Sequence, residues 1–315
     1  MAQQVSPVMI GVDVDSRYLQ IARHGQKQVV RIDNQGKAID QWLDSLSGPL
    51  SLAVEATGHY HLELVDRAYA RGVVVYLVDP YRLAHYRRSV GERNKSDPVD
   101  ARLLARYLAH EHEELRPYRP LSPAHRRAWS LLKRRAKVVQ AEGIVSESLR
   151  AVDGLKGPVK ALQQRFKALK QALEYELADE LRRLGLEADY RRAQTIHGVG
   201  ALTAAALVLA YHRGTFTRAD TLVAYLGLDI RIRRSGLYEG QQKLTKKGNA
   251  ECRRLLHNAA RSAARGDLNA YYTRLRERGL AATQAHVAVA RKLVRIAFSL
   301  LKNQQDYNPE KLKIA

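Results

Sequence analysis

The chain has a single cysteine, Cys252, among its 315 residues. No internal disulfide can form, and a zinc cluster built on several cysteines is excluded. Long apolar runs are also missing, since no stretch approaches the roughly 20 residues that a membrane-spanning helix needs. The first seven residues lack the basic start and the apolar run of a secretory signal. We therefore predict a protein with no membrane segment that works in the cytoplasm, which in a bacterium includes the nucleoid.

Acidic residues are scarce in one part of the chain only. The formal net charge is +21, yet residues 1–115 hold 14 Lys and Arg against 15 Asp and Glu. The other 200 residues carry the excess, a net of +22. This one-sided distribution predicts chemistry in the N-terminal part and a polyanion, nucleic acid, bound by the basic remainder. The alternative from charge alone is a basic protein without a specific partner.

Apolar patterning predicts a mixed α/β domain over residues 1–115. Hydrophobic residues make up 45% of the sequence, which is enough for packed cores. Strand and helix patterns alternate here, as expected for a mixed sheet. The predicted strands are Val8–Val14, Leu19–Ala22, Val29–Ile32, Leu50–Glu55 and Val73–Val78, and the predicted helices lie at about 36–46, 59–71 and 97–112.

A basic, proline-rich junction opens a second predicted domain, residues 116–190. Residues 116–137 carry eight Lys and Arg and no acid, and Ser122-Pro123 is typical of a helix start. Two helical arms follow, separated at residues 154–158. The leucine spacing from Leu162 onwards predicts either a short antiparallel coiled coil or an amphipathic helix that faces a core. Either could mediate self-association.

Four acids of the N-terminal domain lie in positions that favour a metal site. Asp13 and Glu55 interrupt apolar strand patterns, where a carboxylate is costly unless it is paired or binds a metal ion. Asp97 and Asp100 are three residues apart on a predicted helix and so share one face. This layout is typical of ribonuclease-H-like sites, whose carboxylates hold Mg²⁺ for phosphoryl transfer. The plainer interpretation makes Asp97 an N-cap, Asp100 an N3 residue and the strand acids satisfied polar groups.

A third predicted domain, residues 191–315, is mainly helical and carries two segments of interest. Gly198 and Gly200 lie in a turn before an Ala-rich helix, as in helix-hairpin-helix DNA-binding units, although such glycines also close ordinary helix pairs. Ser235 follows an arginine run and precedes Gly236, which predicts an exposed, cationic turn. A serine there can act as a nucleophile if nearby cations stabilise its alkoxide. The alternative is an ordinary turn serine.

Together these motifs resemble the DEDD-type insertion-sequence transposases, which are relatives of the pilin-gene invertases. The N-terminal matches fall in that family's four-acid domain, which is similar to a RuvC-type Holliday-junction resolvase. The C-terminal matches fall in its transposase domain. The matching segments are Gly11–Val14, Val54–Gly58, Lys95–Ala101, Ile196–Gly200, Ala224–Gly236, Lys246–Asn249 and Arg253–Leu256.

The resemblance implies an activity and a set of partners. The protein would be a transposase or site-specific recombinase, with Ser235 as the nucleophile that joins DNA through a phosphoserine. The four acids would bind Mg²⁺ near Ser235, in a composite site shared between the subunits of a dimer of dimers. A structured noncoding guide RNA would select the donor and target DNA. The residues expected to contact nucleic acid are Gly198, Gly200, Arg231, Arg233, Arg234, Lys246 and Lys247.

Two positions depart from the family pattern. Ile230 stands where proline is usual, and Asp15 adds an acid near Asp13, so that either acid could be the first ligand. Asp13 is favoured because it directly follows Gly-Val in the apolar run. Two other functions stay open: a junction-resolving metal nuclease in which Ser235 is idle, and a non-catalytic basic scaffold that binds RNA or DNA.

Overall fold

The computed structural model describes residues 7–312, except 57, 93, 95, 232–233, 236–237, 240–242 and 247. Within 231–240, and at 311–312, it describes only the backbone. Contacts divide the chain into two compact units, Met1–Pro120 and Leu121–Ala315. This division falls inside the predicted junction. The further domain boundary at residue 190 stays a prediction.

Five strands form one mixed sheet in the first unit. The strands are β1 (Val8–Val14), β2 (Tyr18–Arg23), β3 (Val29–Asp33), β4 (Leu50–Glu55) and β5 (Val74–Val78). Their order is β3-β2-β1-β4-β5; β2 is antiparallel to β1 and β3, while β4 is parallel to β1 and β5. The predicted mixed sheet is confirmed, and every strand begins and ends within one residue of its predicted limits.

Helices cover both faces of this sheet. They are α1 (Gly36–Asp44), α2 (Leu62–Ala70), α3 (Pro80–Ser89) and α4 (Asp97–Glu111). Apolar residues of α1 and α2 pack with Ile10, Val12 and Val54 on one side, whereas those of α3 and α4 pack with Ala53 and Val78 on the other. The sheet is therefore the middle of three layers. The helix α3 was not predicted.

The second unit begins with a helical hairpin, α5 (Pro123–Ser148) and α6 (Lys156–Arg183). Ser122 caps α5 as predicted, since its Oγ accepts a hydrogen bond from the backbone N–H of His125 at 3.2 Å. Ion pairs Arg135–Glu174 (2.8 Å) and Lys170–Glu142 (2.5 Å) join the arms in antiparallel order. At the base Leu177 and Leu181 enter the core of the unit, whereas Leu162 and Leu169 towards the tip are exposed. The base of α6 therefore faces a core, as one alternative predicted, while a coiled coil stays a prediction.

Six further α-helices follow the hairpin in the described part of the second unit. They are α7 (Glu187–Gln194), α8 (Ala201–Tyr211), α9 (Ala219–Tyr225), α10 (Ala250–Ala263), α11 (Asn269–Glu277) and α12 (Ala282–Asn303). Every residue of α8 from Thr203 to Ala210 is buried, so this stretch of the helix has no face exposed to solvent. In the described part of the chain, every helix is too short or too polar to span a lipid bilayer.

Four two-residue strands interrupt the helices between α9 and α10, and they were not predicted. They are β6 (Ile230–Arg231), β7 (Arg234–Ser235), β8 (Tyr238–Glu239) and β9 (Lys243–Leu244). The strand β6 pairs with β9 and β7 pairs with β8, both antiparallel. This segment therefore folds back on itself as a β ribbon.

Candidate active site

Two of the predicted acids lie side by side at the carboxyl ends of neighbouring strands. The parallel strands β1 and β4 pair Gly11 with Ala53 and Val12 with Val54. Continued by one residue, this register places Asp13 beside Glu55. Residues that are level on adjacent parallel strands project from the same face of the sheet. Sheet pairing therefore brings together two carboxylates that are 42 positions apart in the sequence.

Close packing of α4 on β1 brings the other two acids to the same end. A Cβ atom added at Gly11 would lie 2.2 Å from the backbone O of Ala101 and 2.3 Å from the backbone N of Ala105. Only a residue without a side chain allows the helix to approach so closely. Gly11 and Asp13 are two residues apart and face the same way, towards α4. The first turn of α4 carries Asp97 and Asp100.

The electrostatics of Asp13 show that the four acids interact. The pKa of the Asp13 carboxyl is raised to about 7, first by burial and then by the negative charges of Asp100, Asp97 and Glu55, in that order. Like charges that share one site favour the neutral acid. The acids Asp13, Glu55, Asp97 and Asp100, called the acid cluster below, therefore act as one electrostatic group.

Each helix acid has a side-chain partner from outside α4. The N-cap of α4 is Ser96, so Asp97 is the first helical residue rather than the cap. The Asp97 carboxylate accepts a hydrogen bond from the Tyr18 hydroxyl at 3.2 Å, and Asp100 accepts one from Arg87 at 2.5 Å. Sequence reasoning missed Tyr18 and Arg87. Nothing in the local pattern of either residue pointed to the cluster.

Asp15 has a local role in the turn between β1 and β2. Its carboxylate accepts hydrogen bonds from the backbone N–H of Arg17 at 3.0 Å and from the Ser16 hydroxyl at 3.3 Å. The Arg17 bond is the main cause of the lowered pKa of Asp15. This is a turn motif that Asp commonly forms. The charges that raise the Asp13 pKa are those of Asp100, Asp97 and Glu55, and Asp15 is not among them.

The acid cluster has the chemistry of a divalent-ion site. Carboxylate oxygens are hard ligands that suit Mg²⁺, and a cation would relieve the mutual repulsion that raises the Asp13 pKa. Within the residues described, no three His, Cys, Asp or Glu side chains are already arranged as a set of metal ligands. By donor type, the four carboxylates suit Mg²⁺.

Ser235 lies in the β ribbon of the second unit. It pairs with Tyr238, so it is the last paired residue of β7 before residues 236–237. At Ser235, Arg231 and Arg234 the structure describes the backbone only, and Arg233 and Lys247 lie outside the described residues. The nucleophilic role of Ser235 and the contacts of these basic residues stay predictions.

The glycine turn between α7 and α8 has a structural reason of its own. Gly198 has φ +86°, and a Cβ atom there would lie 2.7 Å from the backbone O of Ala259 in α10. The turn must therefore be glycine for α10 to pack against it. Gly200 is the N-cap of α8, and it is exposed. Lys246 is also exposed and has φ 54°. Phosphate binding at these three positions stays a prediction.

Two family profiles match successive parts of the chain. Residues 11–152 match the DEDD transposase profile of IS110, and residues 190–273 match the profile of the Transposase IS116/IS110/IS902 family. The first match contains the whole acid cluster, and the second contains the Gly198 turn and Ser235.

Similar proteins have been described in three bacteria. The pilin gene-inverting proteins of Moraxella lacunata and Moraxella bovis are each 28% identical to this chain over 271 residues, which is 82% of this chain and 82% of the relative. The insertion element IS110 uncharacterized 43.6 kDa protein of Streptomyces coelicolor is 32% identical over 113 residues, 35% of this chain and 28% of its own length.

These similarities define the class as enzymes that cleave and recombine DNA. More narrowly, the chain belongs to the IS110-type transposases and recombinases. DNA is therefore its substrate, and the alternative of a non-catalytic scaffold is wrong.

Proposed function

We propose that this recombinase cuts and exchanges DNA strands at a ribonuclease-H-like site formed by the acid cluster. The proximity of the four acids, shown by the charges of Asp100, Asp97 and Glu55 that help to raise the Asp13 pKa, carries the proposal. The sheet order β3-β2-β1-β4-β5, with β2 reversed, supports it, because it places β1 and β4 side by side with their acids level. A carboxylate cluster of this kind is costly to build unless it binds a cation.

In this proposal Asp13, Glu55, Asp97 and Asp100 hold Mg²⁺. The ion would supply positive charge that offsets the charge developing on phosphate oxygens during strand cleavage. The contribution of the protein is the position of its oxygens: the strand register aligns Asp13 with Glu55, and the close packing at Gly11 brings α4 up to them. Both features hold the carboxylates on rigid elements rather than on loops.

Ser235 is the proposed nucleophile. Its Oγ would form a bond to a DNA phosphorus while the bond from that phosphorus to the neighbouring sugar oxygen breaks, which leaves a phosphoserine and a free DNA hydroxyl. Its position in the segment that matches the second family profile supports this role, as do the flanking arginines. Ile230 stands in place of the usual proline and begins the strand β6 of the ribbon. The chain therefore forms a strand before Ser235 although that proline is missing.

The remaining partners in the proposal are a structured noncoding guide RNA and three further copies of the chain. The second unit carries 37 Lys and Arg against 17 Asp and Glu, which suits long polyanions. Subunits assembled as a dimer of dimers would bring Ser235 of one copy to the acid cluster of another. Such a protein would work at the bacterial nucleoid, where its DNA lies.

The proposal is tested by recombination between donor and target plasmids, with the RNA that copurifies with the protein. Ser235→Ala and Asp13→Asn should each abolish recombination and the protein–DNA adduct that survives detergent. Asp15→Asn is the matched control for the acid and should retain activity, because asparagine can keep the turn hydrogen bond. Recombination by Ser235→Ala at the wild-type rate would refute the serine mechanism. Ion-dependent cutting of DNA junctions without an adduct would favour the junction-resolving nuclease.

A further inference from the structure

Arg87 of α3 holds two groups at the start of α4. Its Nη2 donates to Oδ1 of Asp100 at 2.5 Å, and its Nη1 donates to the backbone O of Asn94 at 2.9 Å. The side chain of Arg87 is 15% exposed and that of Asp100 is 9% exposed. A charge-assisted hydrogen bond is stronger than a neutral one, and removing one partner of such a shielded pair leaves a charge buried without compensation.

Asp100 interacts both with this arginine and with Asp13 of the acid cluster. Among the three neighbouring acids, its charge has the largest effect on Asp13. Because a carboxylate is planar, the bond from Arg87 to Oδ1 also fixes where Oδ2 lies. The second bond, to the backbone O of Asn94, restrains the guanidinium. Arg87 therefore controls the orientation of one of the four acids from outside the cluster.

We propose that Arg87 is a positioning residue that orients Asp100 as a ligand for the divalent ion. This inference rests on the proposed function, because it requires the acid cluster to bind that ion. Hydrogen-bonding partners of metal ligands typically change metal affinity by about 10–100-fold. A purely electrostatic effect would have the opposite sign, since a neighbouring cation repels a metal ion. The sign of the change in metal affinity therefore distinguishes a positioning role of Arg87 from electrostatic repulsion of the metal ion.

The test measures Mn²⁺ binding by calorimetry on the full-length protein, well below its melting temperature. Arg87→Ala should weaken binding about 10–100-fold. Arg87→Lys should fall between Arg87→Ala and wild type, because an ammonium keeps the charge without the planar fork that reaches both Asp100 and Asn94. Arg88→Ala removes the same charge from the next, exposed position of α3 and should bind as wild type does. Asp13→Asn identifies the binding that belongs to the acid cluster.

Equal or tighter Mn²⁺ binding by a folded Arg87→Ala protein would overturn the positioning role. If Arg87→Ala does not fold, Arg87→Lys decides: weaker binding supports positioning, and unchanged binding refutes it. If wild type shows no Mn²⁺ binding that Asp13→Asn removes, the proposed metal site itself fails, and this inference fails with it. A loss of affinity in Arg88→Ala as large as in Arg87→Ala would show that the loss does not depend on the bond to Asp100, which also refutes positioning.

Discussion

Asparagine in place of Asp13 should stabilise the protein in the absence of divalent ions, and the gain should grow with pH. The folded-state pKa of Asp13 is about 7, against an ordinary value of 3.8. Between these values the folded protein binds more protons than the unfolded chain, so its free energy of unfolding falls as the pH rises through this window. Asparagine carries no charge and removes this dependence.

The size of the effect follows from the pKa shift and from the exposure of the side chain. A shift of about three units corresponds to roughly 4 kcal/mol at about 1.4 kcal/mol per unit. Because Asp13 is only partly buried, screening by water reduces this to about 1–2 kcal/mol. We therefore expect the advantage of Asp13→Asn to be small at pH 5 and to grow by about 1–2 kcal/mol by pH 8.

Urea unfolding in EDTA at pH 5, 7 and 8 measures this advantage. The chain has two tryptophans, Trp42 in the first unit and Trp129 in the second, so a Trp129→Phe background lets Trp42 report on the first unit alone. The control Asp15→Asn should differ from wild type by an amount that does not change between pH 5 and 8, since the pKa of Asp15 is lowered and its contribution to stability is lost only below the unfolded pKa of 3.8. A stability difference between Asp13→Asn and wild type that does not change with pH would refute the electrostatic account of the acid cluster.

Two other changes test the packing and the nucleic-acid interface. Gly11→Ala should destabilise the first unit by about 2 kcal/mol or more, because its Cβ would meet the backbone of α4. The control Gly143→Ala lies in α5 with open space around it, and it should stabilise its helix by about 0.5–1 kcal/mol. Urea unfolding compares the two, and wild-type stability of Gly11→Ala would contradict the close approach. Lys246→Asn keeps a residue that tolerates positive φ. If Lys246 contacts phosphate, this change should make the negative slope of log K against log salt shallower by about one. Fluorescence anisotropy with duplex DNA measures this slope, and an unchanged slope would exclude that contact.

Local patterns predicted the N-terminal sheet well and missed α3. The strands are Val-, Ile- and Leu-rich runs that end at Gly, Pro or Asp, and their limits are therefore visible in the sequence. In contrast, α3 buries a single residue, Leu83, so it has no apolar periodicity. The pair Asp79-Pro80, which caps this helix, was the signal available. The element that sequence reasoning missed carries Arg87, the residue on which the further inference depends.

The ribbon around Ser235 was missed for a different reason. Its four strands are two residues long, which is too short for an alternating pattern. The motif around Ser235 was recognised by residue type and order, whereas its β pairing was not. Family resemblance thus located the candidate nucleophile without describing the structure that presents it.

The sequence by itself determined which residues can do chemistry in this protein. It contains four acids in strand and helix contexts, a one-sided positive charge and the motifs of a recombinase family, all of which depend only on residue type and short spacing. Tertiary structure decided which of them meet. The register of β1 and β4 aligned Asp13 with Glu55, the missing side chain of Gly11 let α4 approach, and the position of α3 gave Asp100 its arginine. These contacts join residues from separate elements, and their distances depend on how strands pair and helices pack rather than on any local pattern.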